Sequence, residues 1–204
     1  MWCSPVPQNK KAGIVAADYA SRLSRILAQT DWSIVEPLGQ ALLDCWKNKT
    51  QVFWIGNGGS AGNAIHMAND FFYSISKQKG SGIRCHALAA NAPILTCLSN
   101  DVGYDDVYAL QLATMANPGD ILIAFSGSGN SPNILNALIE ARALGVKSFA
   151  ILGFSGGKAK ALADYPLHFA IDDMQISEDL QCIVCHMLTQ YLYGVRETVQ
   201  GRPA

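Results

Sequence analysis

No run in this sequence approaches the roughly 18 consecutive apolar residues of a membrane-spanning helix, and none follows the N-terminal segment 1–13 with its Lys10-Lys11 pair. Neither a membrane span nor an export signal is expected, which places the protein in the cytoplasm. Blocks of like charge are missing too: 15 Lys and Arg stand against 16 Asp and Glu, for a net charge of −1. Without a basic tract, nucleic acid and anionic membrane are poor general partners. Cys182 and Cys185 form one Cys-x-x-Cys with no second pair to complete a zinc spacing. All six cysteines (Cys3, Cys45, Cys85, Cys97, Cys182, Cys185) lie in apolar surroundings, as the reduced thiols of a cytosolic protein do. Two nucleotide signatures are absent: no Gly-x-Gly-x-x-Gly is followed by an acidic ribose ligand, and no Gly-Lys-Ser/Thr closes a phosphate loop. No nucleotide cofactor is expected.

What is present suits a single α/β domain. Half of the 204 residues are hydrophobic and 15% are charged, enough apolar surface for one core but too short a chain for two. Apolar residues at helical spacing mark 14–28 (Ile14, Ala17, Tyr19, Leu23, Ile26, Leu27) and again 32–46. From there strands alternate with helices. Strands are predicted at 51–55, 83–88, 121–125, 146–152 and 166–171, and helices at 60–75, 92–98, 107–115, 133–144 and 177–199. Such alternation predicts a doubly wound, five-stranded parallel sheet covered on both faces. Residues 12–48 form a helical pair ahead of the 51–199 core, and only the extreme termini, including 201–204, read as disordered.

In an open parallel sheet, ligands bind beyond the carboxyl ends of the strands, where helix N-termini offer free amides. Two loops fall there. Gly56-Asn57-Gly58-Gly59-Ser60 follows the first strand; its glycines allow close backbone approach and Ser60 can cap the next helix. Taken alone, a glycine turn is as readily geometric as functional. Ser126-Gly127-Ser128-Gly129-Asn130-Ser131-Pro132 follows the third strand, and its hydroxyls and amides form a nest without positive charge, suited to a phosphate monoester. Helix capping explains Ser131 but leaves Ser126 and Ser128 without a structural reason. Gly153-Phe154-Ser155-Gly156-Gly157-Lys158 reads as a strand-to-helix turn near the site.

These loops, with His66, Asn100-Asp101-x-Gly103-Tyr104, Gly156-Gly157 and His186, follow the order and approximate spacing of the sedoheptulose 7-phosphate isomerases of the sugar-isomerase (SIS) fold. The resemblance covers about 14–192. It implies a flavodoxin-like fold, a homotetramer with active sites at subunit contacts, zinc, and interconversion of a ketose with a heptose aldose phosphate. By the same resemblance Asn57, Gly58 and Gly59 line the sugar site together with Ser60, and Asn100 and Asp101 contact sugar hydroxyls. Ser126, Gly127, Ser128 and Ser131 hold the phosphate. His66, Asp70, Glu178 and His186 fall at the metal and acid/base positions, with Asp70 and His186 as the catalytic pair and Glu178 also touching substrate. Asp70 stands where the family has glutamate, and Glu178 where it has glutamine.

Simpler readings compete at each position. An i,i+4 His66–Asp70 pair is also an ordinary surface hydrogen bond. His186, among Ile183, Val184, Met187 and Leu188, is by itself a core histidine. Glu178 lies eight residues before His186, about 12 Å along a helix, so the two reach one ion only with side chains stretched toward each other; Glu178 can instead favour the helix start beside Ser177. His86 and His168 read as structural. Two alternatives to the heptulose isomerase stay open: a non-catalytic SIS-fold regulator or scaffold, and an isomerase of another sugar phosphate.

The leading helices carry more apolar surface than five strands and their crossover helices need, and Trp32, Trp46, Tyr191 and Tyr193 are residues of the kind that anchor subunit contacts. A homo-oligomer, with four subunits by the resemblance, is the expected mass by light scattering at micromolar concentration. A monomer would contradict it.

Overall fold

The computed structural model describes residues 11–200; Cys3, Lys10 and the 201–204 tail lie outside them. Five parallel strands, β1 (Gln51–Ile55), β2 (Arg84–Ala87), β3 (Ile121–Ser126), β4 (Lys147–Leu152) and β5 (Tyr165–His168), form one sheet in the order β2-β1-β3-β4-β5. β5 is shorter than the 166–171 expected. Its last residue is in register with Leu152, where β4 ends; beyond it the chain leaves the ladder, with the Phe169 N–H on the Leu152 carbonyl and the Ile171 carbonyl taking the Phe154 N–H, both at 2.9 Å.

Side chains alternate across a strand, so each strand feeds two cores. Val52, Trp54, Ile121, Ile123, Phe125, Phe149, Ile151 and Leu167 face one side. They pack there on α2 (Glu36–Asn48), α3 (Gly59–Asn69) and the final helix α8 (Met174–Val195). Phe53, Ile55, Leu122, Ala124, Ala150 and Leu152 face the other side, against α5 (Ala109–Met115), α6 (Pro132–Ala143) and the short α7 (Ala159–Leu162). α4 (Ala92–Asp101) crosses outside this second layer with no buried residue. Both faces being covered explains why the strands read as continuous apolar runs.

Three boundaries differ from the sequence reading in ways that bear on the site. The 60–75 helix is α-helical only to Asn69; Asp70–Ser74 make a single π turn, a distortion often placed at functional positions. α8 starts at Met174 rather than 177, because the buried Asp173 carboxylate caps it by accepting from the Ile176 N–H at 3.1 Å. A 3₁₀ turn, Trp32–Val35, separates the first helix, α1 (Ala12–Gln29), from α2.

Two of the four expected interface anchors are spent inside the subunit. Trp46 is core, with its indole N–H donated to the Ser81 carbonyl at 2.6 Å, and Trp32 packs on Phe169 with ring centroids 6.3 Å apart. Tyr191 and Tyr193 remain exposed, and Tyr193 carries the Arg196 guanidinium over its ring at 4.0 Å. No described helix is long and apolar enough to cross a membrane.

α1 buries no residue fully. It is fastened to the start of α8 by polar contacts: Tyr19 donates to Asp179, and Arg22 pairs with Asp173 at 2.6 Å. Burial alone would push the Asp173 carboxyl up, but Arg22 and the amides of Ile176 and Gln175 outweigh it and hold the group below its ordinary value. A depressed carboxylate adds stability above its unfolded pKa and loses it as pH falls through its folded one. Arg22→Ala is therefore expected to cost about 1.5–3 kcal/mol in urea unfolding at neutral pH. In acid, below both values, the variant and the parent should converge; a difference independent of pH would refute the ion-pair account.

Candidate functional site

β1 sends its chain toward the β2 edge, while β3 sends its own toward β4 and β5, so the strand order reverses between them. The glycine turn after β1 and the serine loop after β3 part at this switch point and leave a cleft of about 230 Å³. Asn57, Gly58, Gly59, Ser60, Ser126, Gly127, Ser128, Ser131 and Glu178 all line it, with Phe125 and Met174. No lysine or arginine is among them.

The hydroxyls are placed differently from the sequence reading. Ser126 Oγ accepts from the Gly129 N–H at 3.0 Å, and Ser128 Oγ from the Asn130 N–H at 3.3 Å, so both do have a structural reason: they fold the loop on itself. Each keeps its own proton to donate. Ser131, expected to cap α6, is the N-cap residue but makes no side-chain cap bond, because the Ile134 and Leu135 amides both go to its carbonyl. Its hydroxyl is thus not spent on the helix. Ser60 is buried and does not cap α3 either; its Oγ accepts from Gln181 Nε2 at 3.0 Å, while Asn63 bridges Gln181 and the Glu178 carbonyl. The 153–158 turn stands directly behind the serine loop. Gly153 N–H reaches the Gly127 carbonyl at 3.0 Å, and Lys158 N–H reaches Asn130 Oδ1 at 3.1 Å. Gly129 holds its turn with φ of 65°, against the Gly156 carbonyl, where a β-carbon would have no room.

A second group lies where α3 and α8 face each other. His66 Nε2 and His186 Nε2 are 3.2 Å apart, and Asp70 Oδ2 is 3.8 Å from the first and 3.5 Å from the second. The aspartate, one methylene shorter than the family's glutamate, still reaches both rings. Two imidazoles and a carboxylate with ligating atoms within 4.8 Å of one another fit a divalent ion. Ligands at the usual 2.0–2.2 Å in tetrahedral array stand roughly 3.3–3.5 Å apart. Glu178 is not in this group. Two helical turns before His186, its carboxylate sits over Gly59, where a β-carbon would collide with it, and takes the Ser60 backbone N–H. Burial pushes the Glu178 carboxyl up, the Ser60 amide opposes this, and Asp179 adds to it.

Asn100 and Asp101 are exposed at the end of α4, bonded to each other at 2.8 Å, and do not line the cleft. His86 and His168, read as structural, each have partners within the subunit: one binds Gln51 and stacks on Phe53, the other binds Lys160 and the Phe154 carbonyl. Cys185 is buried and Cys182 only half-buried. The sequence reading missed Met174, hidden by placing the start of α8 too late, and Asn133, whose amide locks onto that of Asn57. The one signal for Asn133 was a polar residue directly after a proline at the first helical position.

The sequence model of the SIS domain matches residues 16–153. A phosphoheptose isomerase of Chlorobaculum parvum is 35% identical over 147 residues, 72% of this chain and 70% of that protein. One of Helicobacter pylori is 34% identical over 161 residues, 76% and 82% of the two chains. Among solved structures, a phosphoheptose isomerase from Neisseria gonorrhoeae superposes with a TM-score of 0.82 at 26% identity, over 91% of this chain and all of that one.

The charge of Glu178 opposes a phosphate in its cleft. Glu178→Gln is expected to tighten binding of inorganic phosphate about fivefold, on the order of 1 kcal/mol of Coulomb repulsion removed. The parent should also gain affinity relative to the variant as pH falls and Glu178 takes up its proton. Calorimetry showing equal affinity and equal pH dependence would place the anion elsewhere.

Proposed function

Given that this chain belongs to the SIS domain family and, within it, to the phosphoheptose isomerases, we propose that its substrate is sedoheptulose 7-phosphate, converted to a heptose 7-phosphate. It is a sugar-phosphate isomerase, and the choice of sugar rests on one observation. An anion nest and an acid/base group each border α8, at Glu178 and at His186, positions separated by two turns or about 12 Å of helix rise. A sugar whose phosphate and reacting carbons lie at opposite ends of an extended chain suits that separation.

Serine hydroxyls and loop amides hold the phosphate, which leaves the first two carbons to reach His66, Asp70 and His186. Aldose–ketose interconversion removes a proton alpha to the carbonyl and returns one to the neighbouring carbon. Asp70 is suited to be the base and His186 the acid, or the pair reversed, with an enediol between the two transfers. The 3.5 Å between them lets one group compensate the charge the other acquires. Zinc or another divalent ion fits the ligand set His66, Asp70 and His186, with Glu178 outside it as the site stands; when bound, it would supply a Lewis acid for the sugar's carbonyl and hydroxyl oxygens. Subunit assembly belongs to the same proposal. Met187 and Tyr191 on α8 border an apolar groove with Val35 and Gly39, and both are more than 40% exposed.

The test is incubation in deuterated water with a panel of ketose and aldose phosphates, with and without added zinc, followed by NMR. Deuterium should enter sedoheptulose 7-phosphate next to its carbonyl. His186→Gln should lower that exchange at least roughly 100-fold, the usual contribution of a positioned acid or base, while phosphate binding persists. Exchange into no sugar phosphate by the parent protein would overturn the proposal.

A further inference from the structure

Asn57 lines the cleft, yet most of its side chain is already committed. Its Nδ2 donates to Asn133 Oδ1 at 2.9 Å, and its Oδ1 accepts both from Asn133 Nδ2 at 2.8 Å and from the Tyr104 hydroxyl at 2.9 Å. A primary amide has two donor hydrogens and two acceptor lone pairs. Both lone pairs are taken, and one hydrogen is taken. One N–H is left, on a residue that borders the cleft.

The partners are themselves fixed. Asn133, 1% exposed, is the second residue of α6, directly beyond the serine loop, so its amide ties the phosphate end of the cleft to the glycine turn. Tyr104 opens a 3₁₀ turn, Tyr104–Asp106, launched from Gly103, whose φ of 123° suits glycine. One turn further on, Asn136 of α6 grips that segment through the Asp105 carbonyl and the Asp106 carboxylate, at 3.1 and 2.9 Å. Buried Tyr108 donates its hydroxyl to the Gly56 carbonyl, the residue before Asn57. The segment thus holds the glycine turn at two adjacent residues and is held in turn by the helix that carries the serine loop.

We propose that Asn133 and Tyr104 are positioning residues that make Asn57 a donor of a single N–H to a sugar oxygen. With both lone pairs of its carbonyl filled, Asn57 cannot accept from a sugar hydroxyl, so at this point the cleft selects an oxygen that accepts: a carbonyl, or a hydroxyl whose own proton is directed elsewhere. The phosphate does not depend on this amide. This inference rests on the sugar-phosphate reading of the cleft, and it assigns a role to Tyr104, which lies outside the cleft lining, and to Asn133, which no motif marked.

Tyr104→Phe removes one hydroxyl from a half-exposed ring, and Asn133→Asp replaces the donor with a carboxylate of the same size. The measurement is calorimetric affinity of the full-length protein for sedoheptulose 7-phosphate and, separately, for inorganic phosphate, with KM and kcat alongside. Tyr104→Phe should weaken sugar-phosphate binding about 3- to 10-fold, the worth of one neutral hydrogen bond. Asn133→Asp, which also sets a negative charge beside the serine loop, should weaken both ligands and the sugar phosphate more, and phosphate affinity should stay within twofold in Tyr104→Phe. KM should rise more than kcat falls. If Asn133→Asp fails to fold, Tyr104→Phe alone decides. A parent protein that binds the sugar phosphate no tighter than phosphate overturns the sugar reading and this assignment together. A parent that discriminates between them, with variants keeping the same ratio, overturns the assignment alone, and equal losses for both ligands reduce Tyr104 and Asn133 to structural supports.

Discussion

A phosphate taken out of water must meet either a cation or a set of oriented dipoles, and the cleft described here contains no lysine or arginine. For the proposed phosphate, those dipoles would come from backbone amides and serine hydroxyls. Because β1 and β3 are adjacent while their chains leave for opposite edges of the sheet, the glycine turn and the serine loop, with helix N-termini behind them, face the same gap. Several contacts keep those amides and hydroxyls in place. Ser126 and Ser128 close the serine loop on itself, the 153–158 turn backs it, and Asn133 ties it across to Asn57. Such a site is already oriented before ligand arrives, the condition under which neutral donors bind an anion well.

The five-stranded parallel sheet and the loops that border the cleft were legible in the sequence, since they rest on apolar periodicity and on glycine and serine in the right places; the strand order was not. All five strands overlap the segments where the pattern puts them, while α2 starts at Glu36 rather than 32, behind the 3₁₀ turn, and β5 ends at His168 although the Phe169 N–H still reaches the Leu152 carbonyl. The side-chain partners were less legible. Ser131 looks like a helix cap and makes no cap bond, whereas Ser126 and Ser128, read as phosphate ligands without a structural role, also hold the loop. Hydroxyl partners depend on which carbonyls and amides the backbone leaves free, and that is settled only when the helix start is built. Trp46 was misplaced for a similar reason: the Ser81 carbonyl that receives its indole lies 35 residues away.

The four polar residues grouped by family resemblance divide in space. His66, Asp70 and His186 converge, because His66 on α3 and Asp70, four residues on at the first position of the π turn, face one residue of α8. Glu178 lies two turns away and faces the glycine turn and the serine loop instead, where the half-buried carboxyl is pushed toward its neutral form. One helix therefore carries the two chemically distinct ends of the site, and its start is fixed by the Asp173 cap and the Arg22 ion pair from α1. This links the leading helix, which buries little of its own surface, to the placement of the cleft.

The central claim is that one extended sugar phosphate spans both groups, and the most direct measurement is a crystal structure of the His186→Gln protein with sedoheptulose 7-phosphate. The phosphate is expected on the hydroxyls and amides of residues 126–131, with the first two carbons beside Asp70. A sugar bound with its phosphate at His66 and Asp70, or folded wholly within the serine cleft with its reacting carbons away from Asp70, would contradict the account.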